Sequence, residues 1–236
     1  MRRLVLGDVH GSMNALEQVL ERSGWDDSDL LIGIGDYVDG WSQSSYVVEF
    51  LSRLDNFVGV LGNHCAWFLK WLQAGKHPDV WTSQGGQATI DSYKEHLEWK
   101  DPHRKFLESL PYYLVIGNMA FMHGGCVYPK RLASLESVDT FDLLWDRDLY
   151  YMASLSKVSK KPFSVKPFEK VFVGHTSTSV REFGEERFKP FNYKGFWNID
   201  QGGGWEGKLS LVDIDTGEYW QSDFVKDLHR SEAGRR

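Results

Sequence analysis

Polar and apolar positions recur in the same order three times along the first third of the chain. Each time a short apolar run is followed by a polar loop, then by apolar positions at helical spacing. Leu4-Val5-Leu6 leads to Asp8 and His10, with Ser12 as N-cap, then Met13, Leu16, Val19 and Leu20, and Gly24 as the stop. Leu30 to Ile34 leads to Asp36 and a helix carrying Val47, Phe50, Leu51 and Leu54. Phe57 to Leu61 leads to Asn63 and His64 and a helix ending near Gly75. Alternation of this kind predicts an α/β fold of βαβ units with right-handed crossovers. Its three polar loops should emerge at one sheet edge.

The pattern then changes. Residues 76–111 are expected to form a helical insertion with loops around Trp81-Thr82-Ser83-Gln84-Gly85-Gly86 and Asp101-Pro102. Tyr112 to Ile116, the turn Gly117-Asn118, and Met119 to Met122 predict a hairpin that delivers His123. A helix near Asp139 to Trp145 and a solvated Lys/Ser-rich loop from Ser154 to Lys166 should follow. Val171 to Val173 delivers His175. Strands are expected at Phe196 to Ile199, Leu209 to Ile214 and Tyr219 to Gln221. One domain over 1–225 accounts for the pattern, and the polar residues 226–236 are expected to form a flexible tail.

Composition narrows the function classes. With 236 residues and 42% apolar content, the chain can bury a substantial core, and no apolar run is long enough to span a bilayer. A net charge of −6 gives no electrostatic reason to expect nucleic-acid or anionic-membrane binding. It leaves an anionic substrate open, because bound cations can dominate a local field. The first strand begins at once after Arg2 and Arg3, and Asp8 interrupts any leader-like apolar segment, so a cytoplasmic location is expected. Two cysteines, Cys65 and Cys126, make no disulfide framework, and packing roles are expected for both. Ten tryptophans leave room for an aromatic-lined cleft. The oligomeric state is not set by the sequence; a monomer is compatible with it.

The chemistry lies in five loops that each end an apolar run: Gly7-Asp8-Val9-His10-Gly11, Gly35-Asp36-Tyr37-Val38-Asp39, Gly62-Asn63-His64, His123-Gly124-Gly125 and Gly174-His175-Thr176. Alone, each fits an ordinary turn or a capping residue. Together they gather carboxylate, imidazole and amide donors, the ligand set of a two-metal site built for phosphoryl transfer. This mixture suits Mn, Fe or Zn, whereas an all-oxygen set would favour Mg or Ca.

These five blocks, in this order, resemble those of the calcineurin-like metallophosphoesterases, specifically the phosphoprotein phosphatase (serine/threonine phosphatase-like) branch with bacterial and phage members. The resemblance spans residues 5 to about 215. It implies a four-layer αββα sandwich of two mixed sheets flanked by helices, with a dinuclear site at the strand-exit loops. Carried over, Asp8 and His10 bind the first of two divalent metals (Mn first, Fe or Zn as alternatives), and Asp36 bridges both. Asn63, His123 and His175 bind the second. His64 is the implied general acid and Asp39 its orienting carboxylate, a neighbour expected to raise the imidazole pKa.

Two positions depart from the family pattern. The second block normally ends in Asp-Arg-Gly, with the Arg clamping phosphate, but here Gly40 and Trp41 follow Asp39. The third block continues with Cys65 instead of an acidic residue. Arg147, in Leu143-Leu144-Trp145-Asp146-Arg147, is similar to a phosphate-binding Arg of bacterial and phage relatives and becomes the main clamp candidate, with Arg181 second. Asn63 and Trp41 complete the expected substrate contacts, Trp41 as an aromatic wall for the leaving group. The resemblance implies a metal-dependent phosphomonoesterase working by direct attack of metal-bound hydroxide, on a phosphoprotein or small phosphoester. The alternative is a symmetrical bis(5'-nucleosyl)-tetraphosphatase or a broad-specificity phosphoesterase. A non-catalytic scaffold would require a missing ligand or acid, and none is missing.

Overall fold

The computed structural model describes residues 1–128, 132–182 and 184–235. Its ten strands are β1 (Arg3–Leu6), β2 (Leu30–Gly33), β3 (Phe57–Gly59), β4 (Tyr113–Ile116), β5 (Met119–Met122), β6 (Lys170–Val173), β7 (Phe191–Tyr193), β8 (Phe196–Asn198), β9 (Ser210–Asp213) and β10 (Tyr219–Gln221). They form two five-stranded sheets, ordered β10-β9-β1-β2-β3 and β4-β5-β6-β8-β7. Both sheets are mixed. β1, β2 and β3 run parallel in the first, and β5, β6 and β8 in the second, with antiparallel strands at the edges.

Strand side chains alternate between faces, yet both faces here are apolar, as required when a sheet is covered on both sides. Leu4, Leu6 and Leu31 face one core, which they share with Leu16 and Val19 of α1 (Met13–Ser23), Val47, Val48 and Leu51 of α2 (Ser44–Ser52), and Phe68 of α3 (Asn63–Ala74). Their neighbours Val5 and Ile32 point the other way and meet Phe121, Phe172 and Trp197 of the second sheet. Ala120, Met122, Val171 and Val173 close the far side. Three apolar layers between four structural layers give the expected αββα sandwich.

The 76–111 segment contains α4 (Asp79–Trp81), a wide turn at Thr82–Gly86, α5 (Gln87–Ser92) and α6 (Lys100–Ser109). It packs against α2 and α3, with Trp81, Tyr93 and Leu107 fully buried. Beyond it come α7 (Thr140–Trp145), α8 (Asp148–Ser159), α9 (Thr178–Arg181) and α10 (Val225–Leu228). The expected Lys/Ser-rich loop is thus helical in its first half. Leu149, Tyr150, Ala153 and Ser156 form a buried stripe along α8 that outweighs the polar composition. β7 was not foreseen. Residues 226–235, expected to fray, fold back over the first sheet's loops: His229 stacks on Trp41 at 4.8 Å, and Glu232 accepts hydrogen bonds from the Ser42 backbone N–H and hydroxyl.

Candidate metal centre

All five loops leave the carboxyl ends of parallel strands, where α/β sheets place their ligands. β1, β2 and β3 deliver Asp8, His10, Asp36, Asn63 and His64. β5 and β6 deliver His123 and His175 from the other sheet. The backbone is bent to present them: His10, Asp36, Asp39 and His175 all have positive φ, at 49°, 47°, 74° and 62°. Non-glycine residues seldom adopt that region, and such strain collects at functional sites.

Two groups of ligand atoms result, and Asp36 belongs to both: Asp8, His10 and Asp36, and Asp36, His123 and His175. Asn63 Oδ1 joins the second, 2.8 Å from His123 Nε2 and 2.9 Å from His175 Nδ1. The loops that carry them are tied together. The Asp36 carbonyl accepts the N–H groups of Val9 and His10, and Asp36 Oδ1 accepts the His64 N–H in the first turn of α3 at 2.9 Å. That approach needs glycine before the helix: a Cβ on Gly62 would lie 2.1 Å from Asp36 Oδ1.

The rings are oriented by backbone carbonyls. His123 Nδ1 donates to Ile34 O at 2.9 Å and His10 Nδ1 to Val38 O at 3.1 Å, which leaves each Nε2 lone pair facing the ligand groups. These residues fit divalent cations. Asp8 Oδ1 is buried without a hydrogen-bond partner among the described residues. His123 Nε2 and Asn63 Oδ1 would be two acceptors face to face unless positive charge lies between them. Burial lowers the His123 pKa, but the Asp36 carboxylate at 3.2 Å outweighs it and raises it to about 9. Burial also pushes Asp36 up, yet the facing imidazoles of His123 and His64 win and hold it well below the ordinary range. The cluster attracts positive charge.

His64 and Asp39 sit beside this cluster, joined by a 2.6 Å contact between His64 Nδ1 and Asp39 Oδ2. Trp81 Nε1 donates to the same oxygen at 2.6 Å, and Thr89 Oγ1 donates to Oδ1 at 2.6 Å. The expected rise in the His64 pKa does not occur. Burial, followed by the charge of Arg235, lowers it to about 3, while burial raises Asp39 to about 8. A carboxylic acid with a neutral imidazole holds as many protons as a carboxylate with an imidazolium, so both shifts describe one proton belonging to the pair. The dyad keeps that proton between about pH 3 and 8.

A family profile described as calcineurin-like phosphoesterase matches residues 1–199. The chain belongs to that family. A 66-residue stretch is 41% identical to a symmetrical bis(5'-nucleosyl)-tetraphosphatase of Buchnera aphidicola subsp. Baizongia pistaciae (strain Bp), over 27% of this chain and 24% of that protein. The chain therefore spans about a quarter of that curated relative in the matching region. The crystal structure of a candidate diadenosine tetraphosphatase superposes with a TM-score of 0.65 at 20% identity, over 93% of this chain and 92% of that one. A serine/threonine phosphatase from Saccharomyces cerevisiae with similarity to human phosphatase PP5 superposes with a TM-score of 0.59 at 18% identity, over 95% and 79%. At such identities the likeness is one of fold.

In this phosphoesterase Arg147 is half-buried and lines a cavity of about 230 Å³ with Gln84, His175, Arg181, Asp200, Trp205 and Arg235. Arg147 donates to the Trp145 carbonyl, whereas Arg181 is exposed and lies over the Tyr151 ring. A larger cavity of about 570 Å³, between Ser83, Asp91 and Glu232, holds none of the candidate ligands. Trp41 is not the aromatic wall expected of it. It is fully buried, stacked on His229, and its Nε1 donates to Gly203 O at 2.7 Å. The half-buried rings beside the site are Trp67, 5.1 Å from the His64 ring, and Trp145, 5.0 Å from Trp67 and 5.7 Å from His175. Both cysteines are buried, and burial raises both thiols, Cys126 to about 12.

Sequence reasoning missed Trp81 and Thr89 as partners of Asp39, and it missed Asp200. The last is a carboxylate directly after a strand, the same signal that marked Asp8 and Asp36. It is 4% exposed, and its carbonyl accepts the Thr178 N–H.

Proposed function

We propose that this phosphoesterase is a dinuclear phosphomonoesterase of the phosphoprotein phosphatase type. The observation that carries the reading is the pair of ligand groups sharing Asp36, with the His64–Asp39 dyad beside them. Asp8, His10 and Asp36 would hold one cation, and Asp36, Asn63, His123 and His175 the other, Mn being favoured over Fe or Zn by the mixed donors. When bound, the cations supply Lewis-acid attraction for phosphate oxygens and lower the pKa of water.

The chain's own groups do the rest. Asp39 holds His64 Nδ1, so Nε2 is the atom that delivers a proton to the departing oxygen. Trp81 and Thr89 keep the Asp39 carboxylate from turning away. Arg147, which lines the cavity beside His175, and the Asn63 amide would bind phosphate oxygens, and Arg147 offers a planar two-pronged donor. Trp67 and Trp145 wall the leaving-group side and exclude water.

Those rings favour a second reading, a symmetrical dinucleoside tetraphosphatase whose base stacks on indole. One comparison tests both: kcat/KM with Mn for a phosphopeptide, an aryl monoester, an aryl diester and diadenosine tetraphosphate. Highest values for the two monoesters support the first reading, and highest for diadenosine tetraphosphate the second. No turnover of any of them with Mn, Fe or Zn would sink both.

A further inference from the structure

We propose that Arg235, on the C-terminal segment, is a phosphate-binding residue of the metal site; this rests on the phosphoesterase reading above. The backbone N–H of Arg235 donates to Gly204 O at 2.9 Å, and its guanidinium lies over the Trp205 ring at 5.0 Å. These two anchors aim it into the cavity that Arg147 and Arg181 also line, beside His175. Nη1 reaches His10 Nε2 at 3.0 Å and Nη2 reaches Gln84 Oε1 at 3.4 Å, both neutral acceptors.

No described carboxylate forms an ion pair with Arg235, and its Nε is buried without a hydrogen-bond partner among the described residues. The guanidinium is half-buried, and although its charge is felt by Asp200 in the same cavity and by Asp39, neither lies within ion-pair distance, so its planar set of donors is left to match two oxygens of a phosphate. Three guanidinium groups lining one cavity next to the ligand clusters point to a polyanionic occupant.

Gly40 makes room for this arrangement. Its φ is 102°, a conformation that disfavours any side chain, and a Cβ built there would lie 3.1 Å from Arg235 Cγ. The Arg235 stem therefore fills the space that a side chain at position 40 would enter. His10 Nε2 has one lone pair, which a cation and the Arg235 N–H cannot share. A cation held by His10 would take that lone pair, and the Arg235 N–H groups would then need another acceptor in the cavity, while the Gly204 and Trp205 contacts do not depend on His10.

The test uses the metal-loaded full chain, its Arg235→Ala and Arg235→Lys variants, and inorganic phosphate as probe. Calorimetry of phosphate binding is the main readout, with aryl monoester KM, kcat and metal content beside it. Arg235→Ala should weaken phosphate by about 10- to 100-fold, the value of a charge-assisted hydrogen-bond pair, with metal content unchanged. Arg235→Lys should recover only part of the affinity, and millimolar guanidinium should restore turnover to the alanine variant. Unchanged phosphate affinity in Arg235→Ala would overturn the proposal. So would tighter phosphate and faster turnover, which would make the segment an obstruction of the site. If the wild-type protein binds phosphate but turns over no phosphoester, the functional reading fails while the binding assignment is judged by calorimetry alone.

Discussion

The indole nitrogen of Trp81 lies 2.6 Å from Asp39 Oδ2, the same oxygen that holds the imidazole of His64. A residue of the 76–111 segment thus touches the proposed proton donor's partner in a site whose candidate ligands come from loops outside that segment. Trp81→Phe keeps most of the buried ring volume and deletes only the donor. Losing one hydrogen bond to a charged group costs about 1.5–3 kcal/mol, so kcat is expected to fall by about 10- to 100-fold. Bound metal should stay at the wild-type level by elemental analysis. Loss of metal in this variant would mean that Trp81 supports the ligands and not the dyad.

His64→Ala should lower kcat by about 10²–10⁴-fold for substrates with poor leaving groups, and far less for an activated aryl ester, with metal content nearly unchanged. The variant separates acid from ligand. If both cations were lost with it, His64 would belong among the ligands.

The dyad proton also fixes a pH dependence. Asp39 is raised to about 8 and His64 lowered to about 3, and the pair is a competent donor while it holds their one shared proton. Activity that depends on proton donation is therefore expected to be present below about pH 8 and to fall as pH rises through that value. In His64→Ala the alkaline limb should vanish from the kcat profile. A limb that persists unchanged would assign it to another group.

Much of the cluster was legible because each candidate ligand follows an apolar run that reads as a strand, and parallel strands present their exits together. Asp8, Asp36, Asn63, His123 and His175 are of this kind. What the sequence hides is contact between distant segments. Trp81 and Thr89 meet Asp39 only because α4 and α5 pack under the second loop. Trp41 looked like a wall because it sits next to the site in sequence, but burial of its large apolar ring turned it away. The tail was judged by its polarity. Its stacking, hydrogen-bonding and cation–π contacts are made by polar side chains, which hydrophobic periodicity does not register.

Gly62→Ala is a test of close packing. The added methyl would collide with Asp36 Oδ1 and with the Asp36 backbone nitrogen at 2.3 Å. Moving the shared carboxylate should reduce metal occupancy in both positions at once, and thermal stability should fall by about 1–3 kcal/mol, the usual range for overpacking. Selective loss of one cation would argue against Asp36 as the common ligand.

Arg147→Ala should raise KM for an aryl monoester by about 10-fold or more with little change in metal content. An unaltered KM would leave Arg147 a surface residue held by the Trp145 carbonyl.

The proposed ligands are divided between the sheets, with Asp8, His10, Asp36 and Asn63 on one and His123 and His175 on the other. The distance between the two halves is set by the side chains packed between the sheets, among them the stacked rings of Phe121, Phe172 and Trp197. That interior is a ruler for the metal pair. Thinning it far from any of these residues would shift the two ligand groups relative to one another before it changed their membership, and a cation held by Asp36, His123 and His175 would in turn rivet one sheet to the other.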